Sequence, residues 1–197
     1  MCQPKDVGGM GFRDLSAFNQ AMLAKQGWRI LSNPSSLLAQ VLKARYFPNS
    51  SFIDCALGQN PSFIWRSIMW GREVLARGVR WKVGDGLSIS IYKDPWLPRP
   101  SSFKICSPSW LPEGATVSAL LERPGFWCEG LVRRSFLPFE ADIILGIPLS
   151  SFPRSDSVLW HYDKQGSFTV KSAYRLALLS RGDMAASCSF PKCWKTL

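Results

Sequence analysis

Residues 62–97, SFIWRSIMWGREVLARGVRWKVGDGLSISIYKDPWL, decide the predicted fold of this chain. Ser62 is a suitable helix N-cap, and the apolar residues that follow recur at helical spacing as far as Gly78, a natural helix stop. Apolar and polar side chains then alternate, as they do in half-buried strands. Gly84-Asp85-Gly86 interrupts the alternation and favours a turn, because glycine adopts positive φ without strain. The stretch therefore predicts an amphipathic helix that leads into a β-hairpin.

The two sides of the predicted helix differ in character. Its apolar side consists of Ile64, Ile68, Gly71 and Leu75. Its opposite side carries charged and aromatic residues: Arg66, Trp70, Glu73 and Arg77. The helix is therefore expected to bury one side and to present a mixed basic and aromatic side to solvent.

This stretch contains basic residues interleaved with aromatic ones, and that pattern indicates a candidate ligand-binding surface. Arginine and lysine bind phosphates, and exposed aromatic rings stack on bases. The candidate nucleic-acid-binding residues are Arg66, Arg72, Arg77, Arg80 and Lys82. In the structural alternative, the core contains Trp65, Trp81 and Trp96, and the arginines only solvate the helix.

The charge balance favours a polyanionic partner. The chain carries 24 basic and 14 acidic residues, a net charge of +10. Through Arg99 the balance is 13 against 6, and beyond it 11 against 8, so the excess lies in the first half. Nucleic acid, RNA or DNA bound without sequence preference, is the most common partner of such a chain. A basic surface that serves only solubility is the alternative.

Helical patterns account for much of the remaining sequence. Asp14 can cap a helix from Leu15 to about Leu31, with the apolar residues Leu15, Phe18, Met22, Leu23 and Ile30. Ser35 or Ser36 can cap a second helix, whose predicted inward residues are Leu37, Leu38, Val41 and Leu42. Short helices are predicted at 116–121, 126–135 and 138–145, and a longer one runs from Ser172 through Arg181.

A second hairpin is predicted at 157–170, with its turn at 163–166. The predicted fold class is therefore α+β, helix-rich, with two short antiparallel β-hairpins. Residues 98–115 are rich in proline and serine and form the predicted linker. It separates a helical region with a hairpin, 1–97, from short helices, the second hairpin and a helix, 116–187, and residues 188–197 remain.

The sequence lacks the familiar motifs of catalysis and metal binding, such as a P-loop, HExxH or GxSxG. His161 is the single histidine and lies in a predicted strand, so we expect a structural role for it. The six cysteines are scattered, and the closest pair, Cys188 and Cys193, has no histidine nearby. We expect no catalytic residues, no metal site, no cofactor and no enzymatic activity.

Targeting features are also missing. No run of 18 or more apolar residues predicts a transmembrane helix, and we expect no membrane partner. The first residues, MCQPKDVGGMGF, lack the apolar core of a signal peptide and the Arg- and Ser-rich character of a transit peptide. The compartment stays undetermined among nucleus, cytoplasm and mitochondrion, and protein partners are unknown.

Several long segments resemble plant LINE-type (non-LTR) retrotransposon reverse transcriptases. GGMGFRDLSAFNQAMLAKQGWRIL is similar to a segment that follows the polymerase domain there, and the likeness continues through LLAQVLKARYFPNSSF and PSFIWRSIMWGREVLARGVRWKVGDGLSISIYKDPWLP. It resumes in VLWHYDKQGSFTVKSAYRL, and the closing CWKTL resembles the start of the reverse-transcriptase zinc-binding domain. The first half also resembles a retroelement-derived, uncharacterised family of plant mitochondrial proteins.

The resemblance implies a connector between two functional domains. The paired catalytic aspartates of the family lie upstream of the matching segment, and its zinc ligands lie downstream of the CWKTL-like position. Residues 188–197 would then be a truncated start of the zinc-binding segment, and Cys188 and Cys193 do not match its ligands. The resemblance therefore implies polymerase ancestry without polymerase activity in this chain.

Three hypotheses follow from the sequence. The first is a retrotransposon-derived fragment without a catalytic centre that binds RNA or DNA at most non-specifically. The second is a domesticated, non-catalytic protein-interaction module. The third is a non-catalytic part of a split reverse transcriptase whose partner chain carries the aspartates.

Overall fold

The computed structural model describes residues 12–99, 102–152 and 154–179. These residues form two compact units. The first, which we call the helical unit, contains residues 12–78 and 167–179. The second, which we call the mixed unit, contains the described residues from 79 to 166. The chain therefore leaves the helical unit after Gly78 and returns to it at Ser167.

The helical unit contains α1 (Leu15–Ser32), α2 (Leu37–Tyr46), α3 (Phe63–Ala76) and α6 (Val170–Leu179). The first three helices begin where the sequence predicts. The side chain of Asp14 accepts from Ala17 N at 2.7 Å, and Ser36 and Ser62 cap α2 and α3 in the same way. Residues 180 and 181 of the last predicted helix, and the rest of the predicted 116–187 region after them, lie outside the described residues.

The buried side of α1 is predicted only in part: Ile30 is buried as expected, and Phe18 and Leu23 are half-buried. Leu15 is 74% exposed and Met22 is also exposed, whereas the side that faces inward consists of Ala17, Gln20, Ala21, Ala24, Gly27 and Ile30. The reason is the close approach of α3: a Cβ placed on Gly71 would lie 2.4 Å from Ala24 N. Two helix backbones this close leave room between them only for small side chains.

The predicted inward sides of α2 and α3 are confirmed in part, since Ile68, Gly71 and Leu75 of α3 are buried as expected. On α2, Leu42 is buried as predicted, but Leu37, Leu38 and Val41 are exposed. The buried residues of α2 are Ala39 and Leu42, and the ring of Tyr46, at the end of the helix, stacks on Trp65 at 4.6 Å between centroids. On α3, Ile64 is 68% exposed, because the fully buried Trp65 takes the inward position beside it.

The mixed unit contains β1 (Val79–Lys82), a short 3-10 helix (Val117–Leu120), β2 (Leu121–Arg123) and β3 (Phe126–Trp127). It continues with α4 (Glu129–Ser135), α5 (Pro138–Leu145) and β4 (Ser157–Trp160). Its core includes fully buried residues from many parts of the segment: Ile89, Ile91, Trp96, Leu97, Val117, Leu120 and Ile144. All seven of these core residues lie outside the strands, and the four between residues 89 and 97 lie in loops, so loops supply much of the buried core of this unit.

The α+β class with two antiparallel two-stranded sheets is confirmed, but the predicted strand pairings are wrong. β1 pairs with β4, in the register Val79↔Trp160 to Lys82↔Ser157, so the strands of the two predicted hairpins pair with each other. β2 pairs with β3 across Pro124-Gly125, where short helices were expected. Of the predicted short helices, α5 forms as expected, and 126–135 divides into β3 and α4.

The Gly84-Asp85-Gly86 segment forms a loop around a carboxylate. Asp156 Oδ1 accepts from Gly84 N at 2.7 Å and from Gly86 N at 3.0 Å, and Asp156 Oδ2 accepts from Ser88 N at 2.9 Å. Gly86 has φ +71°, which favours glycine. Residues 87–92 therefore turn away from β1, and Ser90 forms a bridge with Thr116 instead.

The predicted linker, 98–115, contributes to the mixed unit through the buried residues Phe103 and Ser107. The division of the sequence into connector, linker and truncated segment stays a prediction. Among the described residues, no helix has both the length and the apolar character needed to cross a membrane.

Candidate nucleic-acid interface

Positive charge is concentrated in the helical unit. Its described residues include ten basic and three acidic side chains, a balance of +7. The described residues of the mixed unit include ten basic and nine acidic side chains, a balance of +1. An electrostatic attraction for a polyanion would therefore arise mainly from the helical unit.

One exposed side of α3 carries two of the predicted arginines. Arg66 and Arg77 are exposed and lie on the same side of the helix as the half-buried Trp70 and the exposed Phe63. Phe63 was not among the predicted site residues, although it lies three residues before Arg66 and therefore shares its side. We call this side, with Phe63, Arg66, Trp70 and Arg77, the α3 face.

The acidic residue on this side of the helix has a partner within the unit. Gln20 Nε2, on α1, donates to Glu73 Oε2 at 3.2 Å and to the carbonyl oxygen of Trp70 at 3.1 Å. The side chain of Gln20 is buried. Glu73 thus accepts a hydrogen bond from a neutral donor of α1 on the border of the α3 face.

Arg72 has a different environment from Arg66 and Arg77. Its Nη1 donates to the carbonyl oxygen of Ile53 at 3.0 Å and to those of Phe52 and Cys55. Burial raises the pKa of the Cys55 thiol, and the nearby Arg72 charge opposes that shift. The guanidinium of Arg72 therefore holds the loop between α2 and α3 in place, by satisfying carbonyl groups that have no strand or helix partner.

Arg80 lies on β1 and is directed into the mixed unit. Its Nε donates to His161 Nδ1 at 3.3 Å. Burial lowers the pKa of Arg80 to about 10, so the group stays protonated at neutral pH. Burial, and secondarily the Arg80 charge, lowers the pKa of His161 to about 4. The pair is therefore a cation beside a neutral imidazole, with Nδ1 as the acceptor.

Lys82 is exposed at the end of β1, opposite Ser157. It lies on the same side of the strand as Arg80, two residues away, but only Lys82 has an exposed side chain. The five predicted residues thus separate into two sets. Arg66, Arg77 and Lys82 have exposed cations, and Arg72 and Arg80 have cations engaged by groups of their own units.

Metal coordination has no candidate in the described part of the chain. Its residues contain no group of three or more His, Cys, Asp or Glu side chains that could hold a metal ion. Cys55, Cys106 and Cys128 are free thiols. Cys188 and Cys193 lie outside the described residues.

Comparison with known proteins finds relatives in Arabidopsis thaliana. The chain is 50% identical over 98 residues to a protein named as an uncharacterised mitochondrial protein, and this match covers 49% of the chain and 64% of that protein. It is 27% identical over 212 aligned positions to a protein named "Putative ribonuclease H protein", over 99% of the chain and 33% of that protein. No protein-family model and no solved structure matches the chain.

These matches fit a retrotransposon-related plant protein, as the resemblance found in the sequence implies. They do not distinguish a LINE-type reverse transcriptase from other retroelements. The chain spans less than two thirds of the length of each relative. Activities of the whole relatives are therefore not properties of this chain by similarity alone.

Proposed function

We propose that this chain is a section of a LINE-type, retrotransposon-derived plant protein that binds RNA or DNA without sequence preference and has no catalytic centre. Its match to one third of the ribonuclease H-named relative, over 99% of its own length, supports the first part. The observation that carries the binding part is the exposure of Arg66 and Arg77 on a unit with a charge balance of +7.

Non-specific binding of this kind is dominated by phosphate contacts. Each contact releases condensed counterions, so affinity falls steeply as salt rises. Arg66, Arg77 and Lys82 can provide such contacts because their side chains are exposed. Arg72 and Arg80 would contribute through the summed field of the protein, because their guanidinium groups already have partners.

A fluorescence-anisotropy titration with labelled RNA and DNA at several salt concentrations tests the binding. We expect measurable affinity at low salt and a steep linear decrease of log K with log salt. The double variant Arg66→Gln/Arg77→Gln should bind more weakly, and its salt slope with single strands should fall by about 1.4, or about 0.7 for each lost contact.

A matched control removes two positive charges from the mixed unit, with Arg154→Gln/Lys164→Gln, since both side chains are exposed. This control should change the slope of log K against log salt much less than Arg66→Gln/Arg77→Gln does. If both doubles weaken binding equally, only net charge matters and the helical unit has no special role. Affinity that stays unmeasurable at low salt for the unmodified chain would overturn the binding proposal.

The non-catalytic part has its own test. The sequence contains no adjacent pair of aspartates, which supports the absence of a polymerase centre. Ribonuclease H and primer-extension assays with Mg²⁺ should show no turnover above buffer. Turnover that rises in proportion to the amount of chain, through repeated purification, would contradict this part and leave the binding part unaffected.

A second candidate function is a protein-interaction module. It is favoured by three exposed aliphatic side chains on α2: Leu37, Leu38 and Val41. A stoichiometric protein partner that survives nuclease treatment, and is lost from the Leu38→Ser/Val41→Ser variant, would favour this candidate. A partner that nuclease removes would favour nucleic-acid binding instead.

A further inference from the structure

The α3 face has a pattern that phosphate binding alone does not need. Aromatic and basic residues alternate along it in the order Phe63, Arg66, Trp70 and Arg77. Their offsets of three, seven and fourteen residues place them within about 60° of one another around the helix. Phe63 is 80% exposed, which makes it the most exposed large hydrophobic residue of the described chain.

The spacing along the helix suits a chain of nucleotides. With a rise of about 1.5 Å per residue, Phe63 and Trp70 lie about 10 Å apart along the axis, and Arg66 and Arg77 about 16 Å apart. Each aromatic ring thus has an arginine within about one turn or two of it. Bases could stack on the rings while their phosphates reach the guanidinium groups.

We propose that the α3 face is a stacking surface for single-stranded nucleic acid. Bases stack on Phe63 and on the exposed part of Trp70, and Arg66 and Arg77 bind the neighbouring phosphates. This inference rests on the proposed function and specifies its substrate class. A duplex keeps its bases paired and stacked on one another, so it can use the arginines of this face but not its rings.

Charge complementarity selects this occupant over a protein surface. The helical unit has ten basic and three acidic described residues, so its summed field favours a polyanion although Glu73 lies on the same side of α3 as the arginines. The exposed side chains of α2 make a useful contrast, because Leu37, Leu38 and Val41 are aliphatic and offer no π-face for stacking.

The decisive variant is Phe63→Ala, measured in the full chain with a 12-nucleotide oligouridine and with a blunt DNA duplex. Loss of one base–aromatic stack should weaken oligouridine binding about tenfold. The salt slope should stay unchanged, because no phosphate contact is lost. Duplex affinity should also stay unchanged, and Phe63→Trp should bind oligouridine at least as well as the unmodified chain.

Ile64→Ala is the matched control, since Ile64 is the next residue of α3, is also largely exposed, and lies about 100° away around the helix. It should change oligouridine affinity less than twofold. Far-UV circular dichroism of both variants should equal that of the unmodified chain, because both side chains are exposed.

The outcomes separate this inference from the proposed function. If Phe63→Ala binds oligouridine normally while Arg66→Gln/Arg77→Gln binds weakly, the proposed function stands and the stacking surface is wrong. An equal loss of affinity for oligouridine and duplex in Phe63→Ala would also overturn the preference for single strands. If the unmodified chain binds none of these probes, the proposed function itself fails.

Discussion

The helical unit and the mixed unit have equal numbers of described basic residues, ten each, but the helical unit has three acidic residues and the mixed unit nine. The difference in charge therefore comes from the acids. Helices satisfy most of their main-chain N–H groups internally, whereas a loop-rich unit must find acceptors for them elsewhere. The comparison suggests that the fold of each unit determines how many carboxylates it uses.

Several carboxylates of the mixed unit accept hydrogen bonds from main-chain amides of its loops. Asp156 accepts from three main-chain amides of residues 84–88. Glu140 is fully buried, accepts from the amides of Cys106 and Ser107, and lies 3.6 Å from a guanidinium nitrogen of Arg99. Asp94 accepts from Ser90 N at 2.7 Å. These carboxylates stabilise loops, and as a consequence they cancel the charge of the unit's basic residues.

The helical unit depends instead on the close approach of α1 and α3. Gly71 on α3 and the small residues of α1 allow the two backbones to approach closely, and Gly27 on α1 lies against the side chains of Leu75 and Phe52. Added atoms at this contact should therefore destabilise the helical unit. The mixed unit should instead be destabilised by the loss of carboxylates. The two kinds of sensitivity can be tested separately.

The largest expected effect is on the α1–α3 contact. In Gly71→Ala, the new Cβ would lie 2.4 Å from Ala24 N and 2.5 Å from the carbonyl carbon of Leu23, both main-chain atoms that can move only if the helices separate. We expect the free energy of unfolding to fall by about 3 kcal/mol. Urea unfolding followed by far-UV circular dichroism measures it.

Gly130→Ala is the control, since Gly130 lies in α4 and a Cβ there would meet no atom within 4 Å. Alanine has the higher helix propensity, so this variant should be stabilised by about 0.5 kcal/mol. If both variants change stability alike, the contact between α1 and α3 is looser than the structure describes.

The next largest expected loss of stability concerns the loop of residues 84–88 in the mixed unit, which surrounds the Asp156 carboxylate. Asp156→Ala removes the acceptor of three main-chain amides. We expect a loss of about 2 kcal/mol, because partly buried donors are left without partners. Hydrogen exchange at Gly84, Gly86 and Ser88, followed by NMR, should become faster in this variant and should show the effect directly.

Asp163→Ala serves as the comparison for Asp156. The Asp163 carboxylate accepts from one nearby amide, Gln165 N, at 3.0 Å within its own turn. Its loss should cost less than about 1 kcal/mol. If both variants lower the free energy of unfolding by similar amounts, the three hydrogen bonds of Asp156 stabilise the fold no more than one local turn contact does.

Local patterns in the sequence predict the helices well, because a cap and an apolar spacing act within a few residues. Asp14, Ser36 and Ser62 show this, since each caps the helix that follows it. The inward sides of α1 and α2 were predicted only in part: Ile30 and Leu42 are buried as expected, but small residues fill most of the buried side of α1. Ala24 and Gly71 are weakly apolar, yet their contact determines which side of α1 is buried.

The pairing of β1 with β4 could not be predicted, because its determinants are distant in sequence. β1 pairs with residues 157–160, and the acceptor that shapes the loop after it is Asp156, about seventy residues away. In the candidate site, too, local spacing could be predicted and distant contacts could not. Helical spacing places Arg66 and Arg77 on one side, but only the folded structure shows the carbonyl partners of Arg72 and the His161 partner of Arg80.

The smallest expected effect is a pH dependence confined to the mixed unit. His161 is the single histidine of the chain, and burial and the Arg80 charge lower its pKa to about 4 in the folded state. In the unfolded chain its pKa is near the ordinary value of about 6.5. Between these values the unfolded state binds more protons, so the stability of the mixed unit rises with pH and is lost as pH falls.

The window from pH 7 to pH 5 isolates this group, because most carboxylates stay ionised there. Thermal unfolding monitored by tryptophan fluorescence should give a melting temperature that falls over this range in the unmodified chain. In His161→Gln, whose amide oxygen can still accept from Arg80, the decrease should be smaller. Equal pH dependence in both proteins would mean that the imidazole is protonated as readily in the folded state as in the unfolded one, and that the Arg80–His161 hydrogen bond does not persist in solution.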